Sequence, residues 1–417
     1  MAQKLLFLLL PALQESALER YLREPDPRTR SAIRAEIRMS LAEAERAIRE
    51  SIPAFSESAA PGATVRRKTV ADHPRAAPFE YLLRVPARYT PSRRWPILVL
   101  LHGQSGTADD ALRRWLPESA RLEDWFVLAP TAGRGGWGRS LLGHAYVFTA
   151  LRETAASFAI DPDRVFLDGA SMGGNGAFQL ACAYPDRFAA VCARSGGPAF
   201  RRTAPGPDAP VEAEGLENLL ATPVTWIVGA RDPKLPYAWV KQARARLEEL
   251  GAPLVYREYP EGGHEAFTQE NGAVLDWMSA RRRDAYPLRA GLATSERLFN
   301  RAFWLEIEAF REPERVERRF TDFEGDVLET RRALAGEVRV RAEIRRDANE
   351  IRVTASGARE LRIYLHERMI DFSRPLAVTA NGTRSSFTPR PSLDTLLESA
   401  RRDRGLLYTA VVSVRIP

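Results

Sequence analysis

Residues 169–174 read Gly-Ala-Ser-Met-Gly-Gly. The run Arg164-Val165-Phe166-Leu167 comes just before them, and a stretch of helical character, residues 175–183, follows. A serine flanked this way sits on a sharp turn between a strand and a helix. Side chains beside it would collide with both elements, which accounts for Gly169 and Gly173. The turn lifts the Ser171 hydroxyl clear of the sheet edge. It also aims the Met172 backbone N–H at the space above that hydroxyl, beside a helix N-terminus that favours negative charge. The motif therefore demands a strand-turn-helix frame and points to nucleophilic chemistry within it.

At 417 residues the chain exceeds one ordinary core, and two domains plus an appendage are expected. Hydrophobic residues at 45 % and charged residues at 28 % fit a globular protein. The net charge of +7 comes from arginines spread along the chain and interleaved with Glu and Asp, which argues against nucleic acid as a partner. The two cysteines, Cys182 and Cys192, are expected as buried free thiols on the helix and strand that follow the serine. Neither C-x-x-C nor H-E-x-x-H occurs, so no metal is expected. Residues 1–13 place one lysine before a short apolar run, too short to span a bilayer. This reads as a signal-like leader, with export to the periplasm or medium as the expectation; the other reading is a helix start in a cytoplasmic protein.

Three regions follow from patterning. Residues 1–62 hold the leader-like segment and a helical arm, with one amphipathic helix expected over 29–50 from Ile33, Ile37, Leu41, Ala44 and Ile48. Residues 63–286 alternate strands and helices. Strands are expected at 64–70, 79–85, 97–101, 125–129, 165–168, 188–193, 224–228 and 254–259. Helices are expected at 111–122, 145–158, 237–250 and 271–283. The unbroken apolar run at 97–101 belongs in a sheet covered on both faces, so this region is α/β with a mostly parallel sheet. Beyond 287 the period becomes two, at 338–342, 350–354, 361–365 and 406–416, which predicts a β-rich, sandwich-like domain with one helix near 393–401.

A serine needs a base to take its proton, and the base needs an orienting acid. Of five histidines, His264 follows Ser171 inside the α/β region, in the loop Pro260-Glu-Gly-Gly-His-Glu265 after a strand. Asp232 lies just past the strand at 224–228, at the carboxyl end where open parallel sheets place their sites. Asp208, in a Pro-rich loop, and Asp276, in a helix, are the alternatives. The charge formed at the attacked carbonyl needs a second donor beside Met172. The loop His102-Gly-Gln-Ser-Gly106, after the buried strand, offers the Gln104 amide, with Gly103 next in line. His102 is expected to brace that loop. Trp137 and His144, in or beside the Gly-rich stretch 133–143, and Phe200 are candidates for substrate contact or for loop packing.

Four segments together resemble the α/β-hydrolase superfamily: the Gln104 loop, the Asp-Pro-Asp-Arg-Val-Phe-Leu approach to Ser171-Met-Gly-Gly174, the Gly-Ala-Arg-Asp232 turn, and the Gly-Gly-His264 loop. More narrowly they are similar to a bacterial esterase group with polyhydroxybutyrate-depolymerase-like, feruloyl-esterase-like and phospholipase/carboxylesterase-like members. The resemblance covers about residues 64–283. It implies Ser171 as nucleophile, His264 as base, Asp232 as acid, no cofactor, and a small or polymeric ester as substrate. The oxyanion loop departs from polymer-active members, which often carry an aromatic residue nearby; Gln104 and Ser105 stand here. A serine peptidase of the prolyl-oligopeptidase type shares the triad order but usually carries a propeller before it. A binding module on an inactive scaffold has no need of all three residues.

Overall fold

The computed structural model describes residues 16–50, 59–133, 135–138, 140–202, 211–321 and 325–417. The leader-like residues 1–13, with residues 14 and 15, and Asp208 lie outside the described residues.

Three helices come first: α1 (Ala17–Arg23), α2 (Pro27–Glu36) and α3 (Leu41–Glu50). The single helix expected over 29–50 is thus two. Ile37 leaves helical dihedrals, and Ser40 restarts the chain with a capping box. Its amide donates to Glu43 Oε2 at 2.8 Å, and its hydroxyl accepts the Glu43 N–H at 3.3 Å. The apolar period survives the break because both helices face one cluster. Ile33, Ile37, Ala44 and Ile48 bury against Leu396, Leu397 and Leu407 from the far end of the chain.

The middle of the chain runs β1 (Thr64–Val70), β2 (Pro78–Arg84), β3 (Trp95–Leu101), α4 (Ala108–Trp115), β4 (Phe126–Pro130), α5 (Leu141–Ser157), β5 (Ile160–Ala170), α6 (Met172–Ala183) and β6 (Ala190–Arg194). It continues through β7 (Phe200–Arg202), β8 (Val211–Ala213), β9 (Val224–Gly229), α7 (Tyr237–Leu250), β10 (Leu254–Tyr259) and α8 (Asn271–Ser279). Eight strands form one sheet in the order β1-β2-β4-β3-β5-β6-β9-β10, while β7 and β8 pair as a separate hairpin. The β1/β2 and β2/β4 pairs are antiparallel and the rest are parallel. Every residue of β3 is buried, as a strand covered by helices on both faces requires. Helix α5 begins earlier than its apolar period suggested. The Ser140 hydroxyl accepts the Gly143 N–H at 3.0 Å and caps the helix there, so His144 lies in its first turn and not in a loop.

The remainder is β-rich: β11 (Arg289–Thr294), β12 (Arg301–Ala302), β13 (Leu305–Phe310), β14 (Val316–Thr321), β15 (Val327–Ala333), β16 (Val338–Arg345), β17 (Glu350–Ser356), β18 (Ala358–Leu365), β19 (Leu376–Ala380), β20 (Thr383–Phe387), α9 (Leu393–Arg402) and β21 (Ala410–Arg415). Sheets of order β11-β16-β17-β19-β20 and β12-β13-β18-β21 share one core, with Leu292, Val340 and Ile351 from the first and Leu305, Leu361 and Ile363 from the second. The β14–β15 hairpin belongs to neither sheet. It reaches back to the α/β domain, where Leu328 joins the main core and Glu329 Oε1 accepts the Leu141 N–H at 2.9 Å. No helix among the described residues is long and apolar enough to cross a membrane.

Candidate active site

Ser171 stands between β5 and α6 with φ 59° and ψ −119°. A non-glycine residue held there stores about 1–3 kcal/mol of backbone strain, which the surrounding structure must impose. The turn is locked at both ends. The Ser171 N–H donates to the Arg194 carbonyl on the neighbouring strand at 2.9 Å, and the Ser171 carbonyl accepts the Asn175 N–H at 2.9 Å. The glycines are steric necessities. A Cβ on Gly169 would overlap the Gly173 carbonyl, and one on Gly173 would overlap the carbonyls of Leu101 and His102.

The expected acid and base, Asp232 and His264, arrive on the adjacent parallel strands. Asp232 follows β9 and His264 follows β10. Their loops are laced together by Ala230 N–H to the Tyr259 carbonyl (2.9 Å) and Arg231 N–H to the Gly262 carbonyl (3.0 Å). This close approach needs Gly229, where a Cβ would strike the Gly262 and Gly263 carbonyls. The result is a continuous relay. His264 Nε2 lies 2.6 Å from Ser171 Oγ, and His264 Nδ1 lies 2.8 Å from Asp232 Oδ2. The second carboxylate oxygen, Oδ1, accepts the Lys234 N–H at 2.8 Å. The Asp232 carboxylate is fully buried, so its negative charge favours Nδ1–H on the imidazole and leaves the Nε2 lone pair toward the serine. The alternative acid, Asp276, is exposed on α8 and pairs with Arg121.

The loop after β3 lies against the serine. A Cβ on Gly103 would sit in ordinary contact with Ser171 Cβ at 3.7 Å. Neither the Gln104 nor the Met172 amide meets an acceptor among the described residues. Both remain available to an anion forming at Ser171. His102 holds this loop in shape. Its Nδ1 lies 2.7 Å from the Gly103 carbonyl and its Nε2 accepts the Ala132 N–H at 2.9 Å, while burial lowers its pKa.

The three substrate-contact candidates fall elsewhere. Trp137 is only 1 % exposed; its indole N–H donates to the His102 carbonyl at 2.9 Å and its ring meets the His102 imidazole edge-on. It is a packing residue of the site's wall. His144 is buried on α5, with Nε2 2.6 Å from the Gly138 carbonyl and Nδ1 3.2 Å from the Tyr184 hydroxyl. Burial holds its pKa down to about 4. His144 and Phe200 line a crevice of about 310 Å³ between the α/β domain and the β-rich domain, together with Cys182, Phe299, Phe320 and Glu337. Neither Ser171 nor His264 lines that crevice. Sequence periodicity could not reveal it, because one wall comes from the β14–β15 hairpin.

Both cysteines are free and buried, Cys182 on α6 and Cys192 on β6, and burial pushes each thiol's pKa far up. Among the described residues no group of three or more His, Cys, Asp or Glu side chains could hold a metal ion. One cluster near the site was missed at the sequence level: Asp168, Arg194, Arg114 and Trp115, buried beneath the serine. The available signal was a lone arginine ending the apolar strand Ala190-Val-Cys-Ala-Arg194.

A serine on the turn after the fifth strand, with acid and then base on loops from the strands beyond it, defines the α/β-hydrolase class. The order of the strands and of these three residues in the chain is the one that class has. No family model matches it. Over 125 residues it is 30 % identical to the protein named "Probable feruloyl esterase C" of Aspergillus terreus, a match spanning 28 % of this chain and 46 % of that one. It is 28 % identical over 125 residues to feruloyl esterase C of Emericella nidulans, again spanning 28 % of this chain and 46 % of the relative. The chain thus spans just under half the length of these curated relatives. Among solved structures it is similar to a thermostable esterase, with 22 % identity and a TM-score of 0.43 over 52 % of this chain and 63 % of that one.

Proposed function

We propose that this protein is a serine carboxylic-ester hydrolase that works through an acyl-enzyme. The observation that carries the reading is the unbroken relay Ser171–His264–Asp232, built on a strained turn beside two backbone amides that meet no acceptor among the described residues. Ser171 Oγ attacks the ester carbonyl as His264 Nε2 takes its proton. The buried Asp232 carboxylate stabilises the imidazolium that results. The oxyanion of the tetrahedral intermediate forms beside the Met172 and Gln104 amides. His264 then protonates the leaving alcohol. In the second half-reaction it takes a proton from water, which attacks the acyl-Ser171 carbonyl, and returns that proton to Ser171 Oγ as the acyl–Oγ bond breaks and the acid leaves. Each backbone donor to such an oxyanion is typically worth about 10²–10³ in rate. The names of the curated relatives favour aryl esters of the feruloyl type as the substrate class, ahead of polyesters.

A panel of p-nitrophenyl esters of rising acyl length, together with methyl ferulate and a peptide p-nitroanilide, tests this reading. Wild type should hydrolyse at least one ester and spare the anilide, and Ser171→Ala should lose the activity. Full activity in Ser171→Ala, or hydrolysis of the anilide alone, would overturn it.

A further inference from the structure

The loop that carries His264 has no regular structure between Tyr259 and Thr268, yet it must hold an imidazole in register with Ser171. The end of β6 supplies what the loop lacks. Three consecutive carbonyls after His264 are each taken by a side chain from residues 194 and 195. The Ser195 hydroxyl donates to the Glu265 carbonyl at 2.7 Å and accepts the Glu265 N–H at 3.2 Å. Arg194 Nη1 donates to the Ala266 carbonyl at 3.3 Å and to the Phe267 carbonyl at 2.9 Å.

The same two residues are tied to the nucleophile. The Arg194 carbonyl accepts the Ser171 N–H. Arg194 Nε donates to Asp168 Oδ1 at 2.7 Å, and Asp168 lies on β5 three residues before Ser171. Asp168 Oδ2 in turn accepts from Arg114 Nη2 at 2.8 Å and from the Trp115 indole N–H at 3.0 Å. Both side chains of the Asp168–Arg194 pair are fully buried. A buried ion pair is a poor source of net stability compared with apolar packing, so its presence at a strand end calls for another explanation. The guanidinium supplies one, because its planar fork can bond a carboxylate and two carbonyls at fixed angles, which an ammonium cannot. Ser195 adopts φ 44°, an uncommon backbone state for a non-glycine residue, and from there its hydroxyl reaches the loop.

We propose that Arg194 and Ser195 are positioning residues for the general base, registering His264 against Ser171 by clamping the backbone at residues 265–267. The inference rests on the triad reading above. It names a mechanical link from the nucleophile strand to the base loop that does not pass through Asp232.

The test uses the full chain and a short p-nitrophenyl ester. Ser195→Ala removes both bonds to Glu265 at little change in volume, and Arg194→Lys keeps the charge beside Asp168 but loses the fork. Each should lower kcat by about 10–100-fold with KM within about twofold, because the loss is one of alignment and not of binding. A thermal melt reports folding separately. The deciding comparison is made in the His264→Ala background, where Ser195→Ala should change the residual rate by less than about twofold if it acts through the base. An equal loss in both backgrounds, or wild-type kcat in Ser195→Ala, overturns the inference while leaving the triad intact. If Arg194→Lys fails to fold, the Ser195→Ala cycle alone decides. Absence of ester hydrolysis by wild type would instead bring down the functional reading itself.

Discussion

The indole N–H of Trp137 donates to the carbonyl of His102 at 2.9 Å. Through this bond the connection between β4 and α5 supports the loop after β3 that carries Gln104. Trp137→Phe keeps the ring and removes only the donor. Stability should fall by about 1 kcal/mol, as for one buried hydrogen bond lost. We expect kcat to drop by between about threefold and thirtyfold with KM little changed, since a small misplacement near the reacting atoms is costly. Steady-state kinetics beside a urea titration would separate the two effects, and an unchanged kcat would remove Trp137 from the support of the oxyanion loop.

Two glycines of the site should respond oppositely to alanine. A Cβ on Gly173 overlaps the backbone carbonyls of Leu101 in β3 and of His102 in the loop after it. Gly173→Ala should cost about 1–3 kcal/mol and most of the activity. A Cβ on Gly263 meets nothing within 4 Å, and its φ lies outside the left-handed region. Gly263→Ala should leave stability within about 0.5 kcal/mol of wild type. Urea midpoints for the pair would expose an error in either placement.

The crevice between the domains holds two buried groups with opposite pH signatures. His144 is held to about 4 against an ordinary 6.5, by burial. Between those values the unfolded chain binds a proton that the folded chain refuses, so stability falls as pH drops, by up to about 3 kcal/mol. Glu337 is pushed by burial up to about 7 from 4.5. Between those values the folded chain keeps a proton that the unfolded chain has lost, so stability falls as pH rises, by a similar amount. The two slopes oppose each other from about pH 4.5 to 6.5. Glu337→Gln should therefore gain on wild type from pH 4.5 to about 7 and level off above, and His144→Gln should gain on it from pH 6.5 to 4. Urea midpoints that run parallel to wild type across either window would refute the assignment for that residue.

Arg283, just beyond α8, is buried between Asp163 at 2.9 Å and Asp403 at 2.7 Å, the latter following α9 of the β-rich domain. Arg283 and Arg187 together hold the buried Asp403 carboxyl down to about 2, although burial alone would raise it. Removing one partner of a buried pair strands the other charge. Asp403→Asn should cost about 3–5 kcal/mol, measured by calorimetry. A melting temperature within a degree of wild type would show that the pair is relaxed by solvent.

That Ser171, His264 and Asp232 meet was legible because their cues are local: a glycine-framed serine, a strand-end aspartate and a glycine-flanked histidine, in a fixed order. The buried run ending at Leu101 likewise announced a parallel sheet. What escaped were features set by distant partners. The break between α2 and α3 hid behind an unbroken apolar period, although Ser40 and Glu43 spelled a capping box. Trp137, His144 and Phe200 looked like cleft residues because they flank glycines. Their surroundings are in fact fixed by His102, Tyr184 and a hairpin more than a hundred residues downstream. Arg194 had no local cue to its role, because the carbonyls it meets come from residues 266 and 267.

The two thiols offer an internal clock for breathing of the chain. Cys192 lies inside the main sheet, on β6 between β5 and β9, whereas Cys182 borders the crevice beneath the β-rich domain. A labelling reagent reaches the first only when the sheet itself opens, and the second as soon as the two domains part. The ratio of the two modification rates thus measures how often the domains separate without either one unfolding.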